Sequence, residues 1–394
     1  MTEIYLDYNA SSPLRPEAAS AVSRLLAGLH GNPSSIHRPG HRAKVTLDSA
    51  RERVASLIGV SPAGIVFTSG GTEANNLALV GAARAAGRGH LIVSAIEHSS
   101  VLEPARSLEA EGFLVSRVPP DRDGVVHTAD ILREVRGDTV LVSLMHSSNE
   151  VGTLQPVAEV AHALRHRGIR VHTDAVQSGG KVPLDAAALD VDLLSLSAHK
   201  LGGPPGVGCL HVREGVTLAP LLRGGGQESN RRAGTEPAAL IAGFAVAADL
   251  AASEMFAEGV RQRALRDGLE ESLAGKIDGL RFHGRSGRRL PNTTCFSVEG
   301  CRGEEMVVAL DLEGIAISTG SACAAGTVRP SHVLEAMGLS PEEARSTLRI
   351  SLGRGTTEEE LLRLTECLAR IVIRIRAARR GSLAPAGAAM KGGS

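Results

Sequence analysis

The sequence predicts an α/β protein with a mostly parallel, seven-stranded sheet flanked by helices, and with a second, smaller α+β domain. Two observations support this prediction. Between about residues 60 and 215, short runs rich in β-branched residues alternate with amphipathic stretches, which is the pattern of strands joined by crossover helices. After Pro237 the pattern changes to a long helix-forming stretch followed by mixed strands and helices. A length of 394 residues also favours more than one core.

Seven short runs are predicted to form the strands of the large sheet. They are Ile65–Thr68, His90–Ser94, Phe113–Val118, Thr139–His146, Ile169–Asp174, Leu193–Ser197 and Gly208–Val212. The stretches between them, such as Ser99–Glu111 and Pro156–Arg167, are predicted to be helices. Pro156 agrees with this because proline is tolerated in a first helical turn.

The smaller domain is predicted from the C-terminal third of the chain. Its elements are a helix from Ala238 to about Ile277, strand Thr293–Val298, helix Gly303–Glu313, strand Thr347–Leu352 and a last helix from Thr357. We expect residues 14–256 to form the large domain, and residues 1–13 with 257–378 to form the small one. The segment 379–394 is rich in Ala, Gly and Ser without a periodic apolar face, so we expect it to be disordered.

Composition argues against several function classes. Lysine plus arginine equals aspartate plus glutamate at 43 each, so no overall charge favours nucleic acid or an anionic membrane. No segment reaches the run of about 18 apolar residues that a membrane helix needs. The nearest, Ala238–Ala248, stops at Asp249 and is predicted to be a buried helix. We therefore expect neither a nucleic-acid partner nor a membrane partner.

The five cysteines, at positions 209, 295, 301, 323 and 367, are scattered and lack paired CxxC spacing. This pattern argues against a disulfide framework and against a structural metal site. The first residues have neither a basic nor an apolar region of the kind found in secretory signals. We expect a cytoplasmic protein without a metal ion.

Two polar clusters follow predicted strands at the point where ligands bind in open α/β sheets. Ser69–Asn76 brings Gly71 and Thr72 to a helix start, which suits a phosphate, although an ordinary strand–turn–helix has the same pattern. Asp174 ends a very apolar strand and needs a cation or hydrogen-bond donors. A protonated pyridine nitrogen or an arginine would serve equally.

Two further clusters carry nucleophiles. Lys200 lies just beyond a buried strand and before Gly202-Gly203-Pro204-Pro205, which favours Schiff-base chemistry, although a lysine extending from a strand end is the alternative. Cys323 lies among small residues, as expected of an accessible thiol. A cysteine is more often a small buried apolar residue, and that reading applies to Cys209, Cys295 and Cys367.

Taken together, these motifs resemble the fold-type I pyridoxal-phosphate enzymes, and more narrowly the cysteine desulfurases of the class V aminotransferase group. The similarity spans about residues 4 to 375. The matching segments are Tyr5–Ala10, Gly31–His37, Ser69–Asn76, Asn149–Thr153, Ser195–Pro205, Arg232–Glu236, Thr319–Cys323 and Arg349–Gly353. Their order along one chain makes the resemblance specific, and the loop that contains Cys323 resembles the longer form of the housekeeping and nitrogen-fixation-type enzymes.

The resemblance implies a role for each matching position. Lys200 should bind the cofactor as a Schiff base, Asp174 should pair with the ring nitrogen, and His98 should stack on the ring and exchange protons. The other implied cofactor contacts are Gly71, Thr72, Asn149, Gln177, Ser197, His199 and, from the second subunit of a homodimer, Thr235. The implied substrate contacts are Asn32, Asn149 and Arg349.

The resemblance also implies a reaction. L-cysteine would be converted to L-alanine while Cys323 takes up the sulfur as a persulfide. It would pass the sulfur to an acceptor protein, either an iron–sulfur scaffold or a thiolation relay. Residues Ala324 to Arg329 lack the Ser, Thr and acidic residues usual at this place, and they leave the acceptor open. The alternatives are another pyridoxal-phosphate reaction, such as selenocysteine cleavage or transamination, and a non-catalytic assembly partner. A nucleotide-binding protein fits poorly, because no P-loop lysine follows Thr72.

Overall fold

The computed structural model describes residues 3–320 and 330–382. The strands are β1 Ile4–Tyr5, β2 Ile65–Thr68, β3 His90–Ser94, β4 Leu114–Val118, β5 Thr139–Ser143, β6 Arg170–Asp174, β7 Leu193–Ser197, β8 Gly208–Val212, β9 Leu280–His283, β10 Thr293–Val298, β11 Ile315–Ala316, β12 Ser318–Thr319 and β13 Thr347–Ser351. The helices are α1 Pro16–Gly28, α2 Arg38–Leu57, α3 Gly71–Ala86, α4 Ser99–Ala110, α5 Thr128–Glu134, α6 Val157–Leu164, α7 Ala238–Lys276, α8 Gly303–Asp311, α9 His332–Ala336, α10 Pro341–Arg345 and α11 Glu358–Ser382.

The larger sheet contains the seven predicted strands in the order β2-β8-β7-β6-β5-β3-β4. Strand β8 is antiparallel to both of its neighbours, and the other pairs are parallel. The predicted α/β class with a mostly parallel sheet is confirmed. The prediction for β5 was three residues too long, because Leu144 and His146 still donate to β6 carbonyls without regular strand geometry.

The strand order places a crevice at one edge of this sheet. Strand β4 lies on one side of β3 and β5 on the other, so the direction of the strand order reverses between β3 and β5. Loops that follow two such strands diverge to opposite faces of the sheet and leave room for a ligand at their carboxyl ends. The loops after β2, β6 and β7 reach the same edge, because these strands run parallel to β3 and β5.

Both faces of the large sheet are covered. On β3, Leu91 and Val93 belong to an apolar cluster that includes α3 and α4, whereas Ile92 faces a second cluster that includes α2 and α6. Alternate side chains of a strand point to opposite faces, so a strand covered on both sides reads as a continuous apolar run. This explains why the strands were recognisable from the sequence.

A second sheet and its own core form the C-terminal part. Antiparallel strands run in the order β12-β13-β10-β9, and β1 pairs in parallel with β11. Leu6, Phe296, Leu348 and Leu364 are fully buried in one cluster there. The N-terminal strand therefore lies with the C-terminal elements, far from its neighbours in sequence. The boundaries at residues 14 and 256 stay a prediction.

Helix α7 runs continuously across the boundary expected near residue 256. Its first half packs on α1 and α2, and its second half packs on α11. By length and composition this helix, within the described ranges, is apolar enough to cross a membrane. A core helix passes the same test, and Ile241, Phe244 and Ala245 are buried against the large sheet. This test alone is therefore weak evidence for a membrane span.

The last helix extends four residues into the segment for which we expected disorder. Helix α11 ends at Ser382, and Arg379 donates to the Gly300 carbonyl over 3.1 Å and to the Glu305 carboxylate over 3.0 Å. These contacts tie the helix end to the smaller unit, which the local composition did not reveal. Residues 383–394 lie outside the described residues, as do residues 321–329 with Cys323.

Candidate active site

A cavity of about 350 Å³ lies at the carboxyl ends of the large sheet, at its contact with the second unit. Ten of the residues predicted to form the site line this cavity: Gly71, Thr72, His98, Asn149, Asp174, Gln177, Ser197, His199, Lys200 and Arg349. They come from the loops after β2, β3, β5, β6 and β7, and from β13. Residues separated by up to 278 positions in sequence are thus brought together by the strand order.

Three predicted residues are not placed in the cavity. Asn32 is exposed in the loop before α2, and its Oδ1 accepts the backbone N–H of Ser34 over 2.9 Å. Thr235 is exposed after the loop that follows β8. Cys323 lies outside the described residues. The roles inferred for these three positions therefore stay predictions.

The start of α3 forms one wall of the cavity. Gly70 has φ +156° and ψ −176°, a backbone conformation that residues with a side chain rarely adopt. A Cβ at Gly71 would approach Val176 Cγ2 to 2.8 Å, so this position also requires glycine. Because the first N–H groups of a helix have no partner within it, they carry a partial positive charge that attracts an anion. Ser197 and His199 line the same cavity.

Asp174 is held by two donors. Its Oδ2 accepts from Asn75 Nδ2 over 2.6 Å, and its Oδ1 accepts from the backbone N–H of Val176 over 2.9 Å. No arginine in the described parts of the chain forms an ion pair with it. The hydrogen-bond donors that the sequence analysis required for Asp174 are therefore present among the described residues.

Two residues missed by the sequence analysis connect Asp174 to His98. Asn75 Nδ2 also donates to Ser100 Oγ over 2.8 Å, and Ser100 Oγ lies 2.7 Å from His98 Nδ1. The backbone N–H of Ser100 donates to the same ring nitrogen over 3.1 Å. Nδ1 is therefore an acceptor, and the proton of the neutral ring is on Nε2. Asn75 lay within the glycine-rich motif, but its helical position alone gave no sign of its partners.

Burial keeps His98 uncharged. The pKa of His98 is lowered chiefly by desolvation, and Lys200 and His332 lower it further against the opposing effect of Asp174. Its neighbour Glu97 is fully buried, and burial raises the pKa of that carboxyl to about 8. Glu97 Oε1 accepts from Ser94 Oγ over 2.7 Å and from the Met145 N–H over 2.6 Å. Both groups are thus neutral near pH 7.

Lys200 follows β7 in a single turn of 3₁₀ helix, Ala198–Lys200. Its Nζ donates to the backbone carbonyl of Asn9 over 2.5 Å and to that of Ala10 over 2.8 Å. The N-terminal segment therefore covers the lysine. Asn9 and Ala10 line the cavity and were not predicted as site residues, although they belong to the Tyr5–Ala10 motif.

Arg349 on β13 enters the cavity from the second unit. Nη2 donates to Asp7 Oδ1 over 2.6 Å, and Nη1 donates to the Asn149 carbonyl over 3.1 Å. Its Nε is buried and has no partner among the described residues. A buried guanidinium N–H without an acceptor is costly, so this atom marks a place for a ligand oxygen.

Comparisons with known proteins show the family of this chain. A family model of aminotransferase class-V matches residues 4–364. The chain belongs to this family. Within the class-V family it groups with cysteine desulfurases, because the sequence called cysteine desulfurase IscS from Dictyoglomus turgidum is 44% identical over 95% of each chain. Cysteine desulfurase IscS 1 from Archaeoglobus fulgidus is 42% identical, over 94% of this chain and 97% of its own.

Solved structures of other proteins have the same fold. A NifS-like protein is 36% identical with a TM-score of 0.88, over 95% of this chain and all of its own. The protein SspA, whose structure was determined in complex with cysteine, is 35% identical with a TM-score of 0.79. That comparison covers 89% of this chain and 99% of the SspA chain.

Proposed function

We propose that this class-V enzyme converts L-cysteine to L-alanine with pyridoxal phosphate bound to Lys200, and that Cys323 takes up the sulfur as a persulfide. One observation supports this most strongly. The start of α3, the Asp174 carboxylate and the Lys200 amine all face a single cavity of about 350 Å³. These are the three groups that a phosphorylated pyridine aldehyde requires.

The residues of the cavity fit this cofactor. The first turn of α3, with Thr72, Ser197 and His199, offers donors to a phosphate. Asp174 offers a carboxylate to a protonated ring nitrogen, and the Lys200 amine would bind the aldehyde carbon. When bound, the protonated ring draws electrons from the substrate carbon attached to it. The fit makes pyridoxal phosphate the proposed cofactor, with Gln177 facing the ring hydroxyl.

Arg349 and Asn149 are proposed to bind the carboxylate of L-cysteine. The buried Arg349 Nε has no acceptor among the described residues, and Asp7 and the Asn149 carbonyl hold the other two nitrogens of the guanidinium group. A substrate carboxylate would supply the missing acceptor. Asn32 stays a predicted substrate contact, although this cavity does not include it.

His98 is proposed to exchange protons with the substrate. Its Nδ1 lies 2.7 Å from Ser100 Oγ and accepts from the Ser100 N–H, so Nε2 is the ring nitrogen that does not face Ser100. Burial lowers the pKa of this ring, so it is neutral at pH 7. To accept a substrate proton at Nε2, its own hydrogen must first shift to Nδ1, next to Ser100 Oγ. Its connection through Ser100 and Asn75 fixes its position relative to Asp174.

Cys323 is proposed to be the nucleophile for sulfur. Its thiolate attacks the sulfur of the bound cysteine, so that an S–S bond forms while the carbon–sulfur bond of the substrate breaks. The electron pair of the broken bond stays on the substrate carbon, which is protonated to give the methyl group of alanine. The persulfide sulfur then passes to a thiol of an acceptor protein, for iron–sulfur cluster assembly or another sulfur-requiring pathway.

A homodimer is proposed to complete the site. Arg232 Nε donates to Glu73 Oε1 over 2.8 Å, which ties the segment that carries Thr235 to the outer side of the first turn of α3. Thr235 itself is exposed in the single chain. A second copy would place its Thr235 at the phosphate position of the first. A cytoplasmic location is part of the same proposal.

The experiment is to mix the purified, yellow protein with L-cysteine and to quantify alanine and sulfide in the presence of a reductant. Wild type, Cys323→Ala and the control Cys367→Ala, which removes a buried thiol in the second core, are compared. We expect equal amounts of alanine and sulfide from wild type and from the control. Cys323→Ala should be inactive but keep its colour.

Two results would count against the proposal. No alanine from wild type would exclude cysteine as the substrate, and full activity of Cys323→Ala would exclude the persulfide. Selenocysteine and other amino acids would then be tested on the same protein. Colourless protein that takes up no added pyridoxal phosphate would instead favour a non-catalytic role.

A further inference from the structure

A second lysine, Lys181, lies beside the cavity that contains Lys200. It is four residues after Gln177, in the turns that follow β6. Its Nζ donates to Gln177 Oε1 over 3.0 Å and to Asn9 Oδ1 over 3.1 Å. Gln177 and Asn9 both line the cavity, and both are buried. One ammonium group therefore contacts two side-chain amides of the site.

These contacts determine which way each amide faces. The Lys181 amine donates to both side chains, so both amides turn their oxygens toward Lys181. Gln177 Nε2 then donates to the Asn9 carbonyl over 2.8 Å, and Asn9 Nδ2 donates to Thr293 Oγ1 over 2.9 Å. The Asn9 carbonyl is the same atom that accepts from Lys200 over 2.5 Å. Lys181 is thereby connected to Lys200 through a single residue.

The charges around Lys181 are mostly positive. Burial, followed by the charges of Lys200 and Arg349, lowers the pKa of Lys181 to about 7. Burial, followed by the charges of Lys200 and Lys181, lowers the pKa of His199 to about 4. On the other side, Glu254 and Glu258 of α7 line a small cavity of about 70 Å³ that Lys181 and Lys200 share. The amine thus lies between the site and this acidic side of α7.

We propose that Lys181 is a positioning residue, which orients the Gln177 and Asn9 amides so that the N–H groups of Gln177 face the ligand bound to Lys200. This inference depends on the proposed function. With its amide held in this orientation, Gln177 would donate to the hydroxyl oxygen on the cofactor ring and would favour the unprotonated form of the cofactor. A flipped amide would present an oxygen there and favour the protonated form.

The test is a pH titration of the absorbance of the bound cofactor, without substrate. The variant Lys181→Met is compared with Lys276→Met, which removes a half-exposed lysine at the end of α7. Lys181→Met removes the group that orients the Gln177 donor, and it also removes a nearby positive charge. Both changes favour the protonated form of the cofactor. We expect the midpoint of the absorbance change to rise by about one pH unit in Lys181→Met and to stay unchanged in the control. In Lys181→Arg the midpoint should lie close to its wild-type value.

A double variant separates positioning from general damage. If Lys181 acts through Gln177, the shift of Lys181→Met combined with Gln177→Ala should be smaller than the sum of the two single shifts. A strictly additive shift, or a midpoint in Lys181→Met equal to wild type, would overturn the inference. Should Lys181→Met fail to fold, Lys181→Gln takes its place and must show the same upward shift. A wild type that binds no pyridoxal phosphate would refute the proposed function instead.

Discussion

Asn75 donates to Asp174 over 2.6 Å from the first turns of α3, and the same amide nitrogen donates to Ser100 over 2.8 Å. The two hydrogens of one amide thus connect the carboxylate proposed to bind the ring nitrogen with the network that holds His98. The helix that presents its N-terminus to a phosphate also orients the acid and the histidine. The proposed phosphate contact and the acid–base groups are therefore connected through α3.

Removing this amide should weaken cofactor binding. In Asn75→Ala the buried Asp174 loses a donor, and hydrogen bonds to charged groups contribute about 1.5–3 kcal/mol. We expect the Kd for pyridoxal phosphate, measured on the apoprotein by absorbance or fluorescence, to rise roughly 10- to 100-fold. Asn76→Ala is the matched control, because within the described parts of the chain the Asn76 side chain bonds to the Thr72 carbonyl of its own helix alone. Equal Kd values for the two variants would refute the linkage.

Replacing Arg349 should affect the substrate more than the cofactor. Lysine cannot reproduce the planar guanidinium group, which contacts Asp7, Asn149 and the proposed carboxylate together. We expect Arg349→Lys to raise KM for L-cysteine about 10- to 100-fold with little change in the Kd for pyridoxal phosphate.

The control for Arg349 is Arg354→Lys, an exposed arginine three residues beyond β13. It should leave KM unchanged. The assignment of the carboxylate site would fail if Arg349→Lys kept the wild-type KM. It would fail equally if the variant lost cofactor binding in proportion to KM, since that would indicate general damage to the cavity.

Glu97 should make the stability of the protein depend on pH. Burial raises the pKa of Glu97 from 4.5 to about 8. Between these two pH values the folded chain therefore holds a proton that the unfolded chain has released. The stabilisation is complete below about pH 4.5 and is lost as the pH rises through about 8. We expect the Tm of Glu97→Gln minus that of wild type to increase from pH 5 to pH 8.

The size of this effect should be a few kcal/mol at most, because each pKa unit corresponds to about 1.4 kcal/mol. Glu103→Gln changes an exposed glutamate on α4 and provides the control. Its Tm difference from wild type should be nearly constant over the same pH range. A flat difference for Glu97→Gln would mean that the carboxyl is ionised in the folded protein at pH 7.

A buried ion pair should hold the loop that leads to Thr235. Arg51 donates through both terminal nitrogens to the Glu228 carboxylate, over 2.6 and 2.8 Å, and the Phe67 N–H donates to the same carboxylate over 2.9 Å. Removal of one partner of such a pair leaves an uncompensated charge. We expect Glu228→Ala to lower the free energy of unfolding by about 3–5 kcal/mol in urea denaturation.

Asp48→Ala, which breaks an exposed pair with Lys44, should change the free energy of unfolding by less than about 1 kcal/mol. A similarly small effect of Glu228→Ala would show that the loop is held in other ways. The residues Glu228, Ser229 and Asn230 all have positive φ values, of 48°, 57° and 66°. Such a backbone persists only where its surroundings hold it, and the contacts of Glu228 with Arg51 and the Phe67 N–H contribute to this here.

The fold was predictable because most strands of the large sheet, such as β2 and β3, are apolar over most of their length. β2, β3, β7 and β8 begin and end at the residues predicted for them. The predictions were less accurate where tertiary contacts decided the ends of elements. One example is α11, which Arg379 extends past the expected end by binding to Gly300 and Glu305.

The structure brings ten of the predicted site residues together at one cavity, but their connections were not predictable from the sequence. Polar residues at the ends of apolar strands indicated Asp174 and Lys200, and the resemblance indicated His98. The structure places all three at one cavity. Glu97 and Lys181 were missed because a buried charged residue has no periodic pattern of its own in the sequence. Their importance is visible only from their burial and their partners.

The sequence by itself determined which segments form the sheet and which residues follow its strands, because burial on both faces leaves a local pattern of apolar residues. The tertiary structure decided which hydrogen-bond donor faces which acceptor. The Asn9 carbonyl reaches Lys200 across 191 residues, and Arg349 meets Asn149 across 200. Such hydrogen bonds depend on how the second unit packs on the first, since no local pattern records the direction of a donor toward a distant acceptor.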